Sequence, residues 1–243
     1  MNEPNAVAKH EAFRFLAAID LPVRPIDWLL TDFLEQNSLA VLYGGSNKDK
    51  SLLALDLSCC LATNTPFHGQ AVRQSAVFFI TSEGHSSIAR RLRAWSAHNG
   101  VNLKDAPLFI SSHPADMGIE AHISGVASAI TQLSEATGHA PALIVVDNLL
   151  RNFSGDENSP ADISHFVRLA DLLISRLNVA VLVIHSGHSS SRGLSALKDA
   201  VDGEYELSRS ADNRLCTLSA RKIKNAPEPA PLTFEPIDFL ENR

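Results

Sequence analysis

Gly44, Gly45, Lys50 and Ser51 stand at the spacing of a phosphate-holding loop, with one residue out of type. The apolar run 39–43 reads as a buried strand, and Lys50 and Ser51 open a helical pattern of Leu52, Leu53, Leu55 and Leu57. A glycine-rich turn between a strand and a helix can cradle phosphate with backbone N–H groups. A lysine then reaches the phosphate oxygens and a serine hydroxyl takes Mg2+. The pattern requires Gly, four residues, then Gly-Lys-Ser/Thr. Here Gly44 is followed by Gly45, Ser46, Asn47 and Lys48, and Asp49 takes the place of the second glycine. Aspartate tolerates glycine-like backbone angles better than most residues, at ~1 kcal/mol. Its charge weighs more: a carboxylate about 5 Å from a phosphate charge, at an effective dielectric near 20, repels by roughly 3 kcal/mol. The expectation is a loop that binds nucleotide weakly, with the Asp49 carboxylate turned to solvent or partly neutralised by Lys48. An ordinary turn ahead of a helix is the plainer alternative.

Three apolar runs end in polar residues that suit such a loop. The run 142–147 closes on Asp147, which at a strand's carboxyl end can support Mg2+ together with Ser51. The run 77–83 closes on Glu83, a candidate base to orient and deprotonate an attacking water; a capping or solvated glutamate is the alternative. The run 179–185 closes on His185, which could sense a terminal phosphate or serve only the structure. A serine-rich loop with Arg192 and Gly193 follows. Near the C-terminus Lys222 and Lys224 alternate with Arg221 and Ile223, so a lysine could reach a phosphate in a neighbouring subunit or line a solvated edge. Arg90, Arg91 and Arg93 make a basic helix face, solvated or subunit-facing, with Leu92 and Trp95 turned inward.

These residues need a sheet to hold them. Strands are predicted at 39–43, 76–81, 108–111, 142–147 and 179–185, and helices at 51–62, 85–98, 121–137 and 160–177. Apolar strands alternating with amphipathic helices imply an α/β fold, its mostly parallel sheet covered on both faces. Short strands at 204–208, 215–221 and 232–236 predict a C-terminal antiparallel extension. Residues 1–34 read as an N-terminal arm before a core at 35–243. Within the arm, 9–19 has helical spacing, Pro22 and Pro25 break it, and 26–33, with Trp28, suits a short helix.

A chain of 243 residues, 45% hydrophobic and 20% charged, is long enough for one large core. A net charge of −6 excludes a dominantly basic surface, so nucleic-acid contact must be local or shared around a ring. Cys59, Cys60 and Cys216 have no metal-ligand spacing and read as buried thiols. No leader-like opening and no apolar run of membrane length are present, which leads to the expectation of a cytoplasmic protein without a membrane partner.

The order of these motifs resembles the AAA-type, RecA-fold ATPases of the RepA replicative-helicase group. The matching residues are 44–51, 53–57, Ser82-Glu83-Gly84, 88–95, Val146-Asp147-Asn148-Leu149, Asp156-Glu157-Asn158, Ile184-His185-Ser186-Gly187, 191–197 with Ala200-Val201-Asp202, and Lys222-Ile223-Lys224-Asn225. The resemblance implies a RecA-like P-loop fold, ATP with Mg2+, and a homo-oligomeric ring, usually a hexamer. It further implies action on single-stranded DNA in replication or recombination of a plasmid, phage or other mobile element. By it, residues 44–51 hold the nucleotide, Ser51 and Asp147 the metal, Glu83 is the base and His185 the sensor, and Arg192 or Lys224 reaches across to the γ-phosphate. Arg192 and Lys198 are the candidates for DNA phosphate contacts, both expected to be exposed. The chain departs from the family at Asn47, Asp49, Ser186 and Asn225. A loop impaired by Asp49 would leave a second possibility: a ring- or filament-forming scaffold that recruits partners such as a replication initiator without hydrolysis.

Overall fold

The computed structural model describes residues 15–45, 49–187, 192–212 and 214–237. Its centre is an eight-stranded sheet built from β3 (Leu39–Gly44), β4 (Ala76–Thr81), β5 (Leu108–Ile110), β6 (Pro141–Asp147), β7 (Ala180–Ser186), β8 (Gly203–Arg209), β9 (Cys216–Ile223) and β10 (Leu232–Phe234). A small hairpin, β1 (Trp28–Leu30) with β2 (Leu34–Glu35), precedes it. The sheet order is β10-β9-β8-β3-β7-β6-β4-β5. Every pairing from β8 to β5 is parallel, and β8–β9 and β9–β10 are antiparallel. The expected extension is therefore present, but its first strand joins the sheet in parallel beside β3.

The helices α1 (Asp49–Thr63), α2 (His85–Asn99), α3 (Glu120–Thr137), α4 (Pro160–Leu177) and α5 (Arg192–Ala200) cover both faces. Strand residues alternate between two cores with the period of two that a pleated strand imposes. Val77, Phe79, Leu143 and Val145 pack with α1, α2 and the hairpin. Phe78, Ile80, Ile144 and Val146 pack with α3, α4 and α5. Burial on both faces is why these strands read as continuous apolar runs rather than as alternation. Local signals fix the helix ends. Ser159 caps α4 by accepting the Asp162 N–H, Pro160 stands in its first turn, and Asn178 closes it in a left-handed conformation.

The expected helix at 26–33 is a hairpin instead. Asp32 takes a left-handed turn (φ 62°), and Leu29, Leu30, Phe33 and Leu34 are all buried in the α1-side core. A run that buries residues on both sides of a turn cannot present one helical stripe. Residues 15–25 are exposed. Among the described residues no helix is long and apolar enough to cross a membrane, and the three cysteines are buried and free.

Candidate nucleotide site

The parallel strands deliver their carboxyl ends to one rim of the sheet, and the expected loop sits there between β3 and α1. Gly44 must lack a side chain for a reason of packing: a Cβ would stand 2.3 Å from the Leu207 carbonyl oxygen of β8. Gly45 follows it, while Ser46, Asn47 and Lys48 lie outside the described residues. Lys50 is 1% exposed, and its Nζ donates to the Gly45 carbonyl, so the lysine folds back over its own loop. Burial holds its ammonium below the ordinary lysine range, against the opposing pull of Asp49 and Asp147.

Asp49 does not turn to solvent, and Lys48, the other expected neutralising group, lies outside the described residues. Its side chain is buried at the first position of α1, and the Arg209 guanidinium grips it with two donors, Nε to Oδ2 and Nη2 to Oδ1 at 2.7 Å. Arg209 is the last residue of β8, which pairs with β3. Arg209 thus gives the Asp49 carboxylate a counter-charge that the sequence did not suggest.

Ser51 and Asp147 meet as expected: the Ser51 hydroxyl donates to Asp147 Oδ1 at 3.0 Å. Asp147 Oδ2 is buried without a hydrogen-bond partner among the described residues. Burial pushes the Asp147 carboxyl above the usual range, the Ser51 bond pulls it down and nearby Glu83 raises it again. An orphaned carboxylate oxygen beside a serine hydroxyl, at the start of a helix, is a hard-oxygen donor set that fits Mg2+. Magnesium commonly takes one or two protein oxygens and completes its shell with phosphates and water. Among the described residues no group of three His, Cys, Asp or Glu is placed to hold a metal.

Glu83 lies on the same rim, its N–H bonded to Thr81 Oγ1 at 3.0 Å. Its carboxylate meets the Arg91 guanidinium of α2 at 2.8 Å. Among the described residues neither Glu83 Oε2 nor Arg91 Nη1 has an aligned hydrogen-bond partner, so the two meet as charges. Arg91 thus faces the site rather than solvent. His185, at the tip of β7, is 4% exposed; its Nε2 stands 3.4 Å from Glu157 Oε2, and its Nδ1 has no hydrogen-bond partner among the described residues. Burial lowers its pKa, with Glu157 acting in the opposite sense.

The remaining candidates sit elsewhere. Arg192 begins α5, and its side chain lies outside the described residues. Lys198 is half-buried, not exposed: its Nζ pairs with Glu204 at 2.8 Å and lies 3.8 Å from the Tyr43 ring centroid. Lys224 is exposed and pairs with Asp202 at 2.8 Å. The β8–β9 register puts it at the rim opposite the loop, so it cannot serve the loop of its own chain.

Sequence reasoning missed Arg209, Arg91 and Glu157 as partners of site residues. Glu157 and Arg91 lay within quoted motifs without an assigned partner. Arg209 is 160 residues from Asp49, and only the β3–β8 pairing brings the two together. Beside α1 a groove of about 670 Å³ runs from Asp49 past Leu52, Arg90 and Trp95 to Pro236 and Ile237.

A search of curated proteins found no match. Among solved structures the chain is similar to a RadB recombinase, with a TM-score of 0.58 and 19% identity over 82% of this chain and 87% of that one. That likeness establishes the RecA-like fold. A family model described as an AAA domain matches residues 5–191, and the chain belongs to that family.

Proposed function

We propose that this protein is an ATP-binding, Mg2+-dependent motor of the RepA-like helicase kind. In this reading it acts on single-stranded DNA in the replication or recombination of a plasmid, phage or other mobile element. The observation that carries it is the convergence of Lys50, the Ser51–Asp147 pair, Glu83 and His185 on one rim of a RecA-like sheet. Phosphates at the α1 N-terminus would take Lys50 from the Gly45 carbonyl. Glu83 would orient water, His185 would read the terminal phosphate, and the groove beside α1 is wide enough for the base. The working form is a ring, most simply a homohexamer, with Arg192 offered to DNA or to the next subunit and Lys224 to the neighbouring γ-phosphate. Lys198, tied to Glu204, is the weaker DNA candidate.

The test is ATP hydrolysis with and without single-stranded DNA, together with light scattering. Hydrolysis stimulated by DNA in an oligomer supports the motor. A strict monomer without hydrolysis in either condition rejects it. The Glu83–Arg91 contact favours one second reading, a nucleotide-holding scaffold that recruits replication partners, because it ties up the candidate base. ADP and ATP binding with no turnover would single out that reading.

A further inference from the structure

We propose that Arg209 is a positioning residue of the phosphate loop: by holding the Asp49 carboxylate against the end of β8, it lets a loop with an acid in place of its second glycine accept phosphate. The inference rests on the nucleotide reading above and names what determines affinity at that site. Three observations carry it. The grip is two-pronged, one guanidinium edge on both carboxylate oxygens, which fixes direction as well as charge. The carboxylate side of the pair is the more buried, its side chain 10% exposed against 30% for Arg209. The strand that carries Arg209 is pinned to the loop, since Leu207, two residues earlier, backs directly onto Gly44. A guanidinium at that place cancels the formal charge that Asp49 brings to the α1 N-terminus and orients its oxygens toward β8. Arg209 touches no reacting atom in this account; it acts through Asp49.

The test is a double-mutant cycle of wild type, Arg209→Gln, Asp49→Asn and Asp49→Asn/Arg209→Gln, read by calorimetric titration with MgADP and by circular dichroism for the fold. Arg209→Gln is expected to lose about tenfold or more in affinity, because it leaves a bare carboxylate beside the phosphates. Asp49→Asn and the double variant are expected to stay within about fivefold of wild type, the second substitution rescuing the first. Arg209→Lys, which keeps the charge without the two-pronged geometry, is expected to fall between, and it carries the test with the double variant if Arg209→Gln does not fold. Arg209→Gln binding as tightly as wild type would overturn the proposal. A silent wild type beside a binding Asp49→Asn would overturn it too, showing that Asp49 blocks the loop despite its partner while the nucleotide reading survives. Absence of binding by every variant rejects both.

Discussion

The two rims of the same sheet treat their charges in opposite ways. At the carboxyl ends of β4, β6 and β7, Asp147 Oδ2 and His185 Nδ1 are buried without hydrogen-bond partners among the described residues, and Glu83 Oε2 meets Arg91 Nη1 at 2.8 Å as a buried charge pair without an aligned hydrogen bond. At the other rim Asp202 is fully engaged: one oxygen accepts the Leu39 N–H at 3.1 Å, the other accepts from Lys224 at 2.8 Å, and its own N–H bonds the Leu39 carbonyl. An unsatisfied buried polar group costs about 1–3 kcal/mol. A fold that could place such groups anywhere has concentrated them where the helix N-terminus points. On the nucleotide reading, the contrast separates a rim arranged for a ligand from a rim arranged for stability.

The largest effect expected from this contrast is at Lys50. Lys50→Met keeps the volume and removes the charge, so MgADP affinity should fall a hundredfold or more, a unit charge near 4 Å at an effective dielectric of 20 being worth about 4 kcal/mol. The free protein should melt no lower than wild type, because burial already opposes this ammonium. A large drop in melting temperature together with unchanged nucleotide affinity would make Lys50 a structural residue and erase the distinction between the rims.

Asp147 is the next step down. Its folded-state pKa is raised, chiefly by burial, so its contribution to stability is full below about pH 3.8, the ordinary aspartate value, and is lost as pH rises through the folded value. At neutral pH its ionised form is therefore a cost. Asp147→Asn should stabilise the free protein by on the order of 1 kcal/mol, the lower end of what a buried unsatisfied group costs. The same change should abolish the effect of Mg2+ on nucleotide affinity. Thermal melts with calorimetry in Mg2+ and in EDTA read both. Destabilisation with Mg2+ dependence intact would place Asp147 outside the metal site.

The rim's acids were legible because each closes a short apolar run, and its lysine through the spacing of the glycine loop; six parallel strands turn that punctuation into a shared edge. Ser51, 96 residues from Asp147, was legible through the loop spacing. What could not be read were partners fixed only by strand order. Nothing local announces that β8 lies beside β3, so Arg209 carried no signal as the counter-charge of Asp49. Trp28 to Leu34 misled for a related reason: leucines spaced for a helix stripe also suit a hairpin, and Asp32 in a left-handed turn decided it.

His185 supplies a smaller, pH-dependent effect. Burial depresses its folded-state pKa below the ordinary 6.5, so its contribution to stability is full above about pH 6.5 and is lost as the pH falls through the folded value. Urea midpoints should decline from pH 7.5 to pH 5.5, and His185→Gln should flatten that decline. Equal slopes in the two proteins would show that His185 does not titrate across the unfolding transition.

The smallest effect on a single chain is expected at Lys224, and there the comparison is sharpest. Its side chain is 65% exposed, its partner Asp202 is at the stable rim, and exposed pairs of this kind are worth ~0.5 kcal/mol. The six residues of β3 separate that rim from the loop, roughly 17 Å at the rise of a strand. Lys224→Ala should therefore leave melting temperature and MgADP affinity unchanged. If the ring reading holds, ATP turnover should fall all the same, because the lysine would serve a phosphate bound by the next subunit. Mixing Lys224→Ala with Lys50→Met subunits should then restore part of the turnover, each supplying the group that the other lacks. Full turnover by Lys224→Ala alone would leave this lysine as a partner of Asp202 and nothing more.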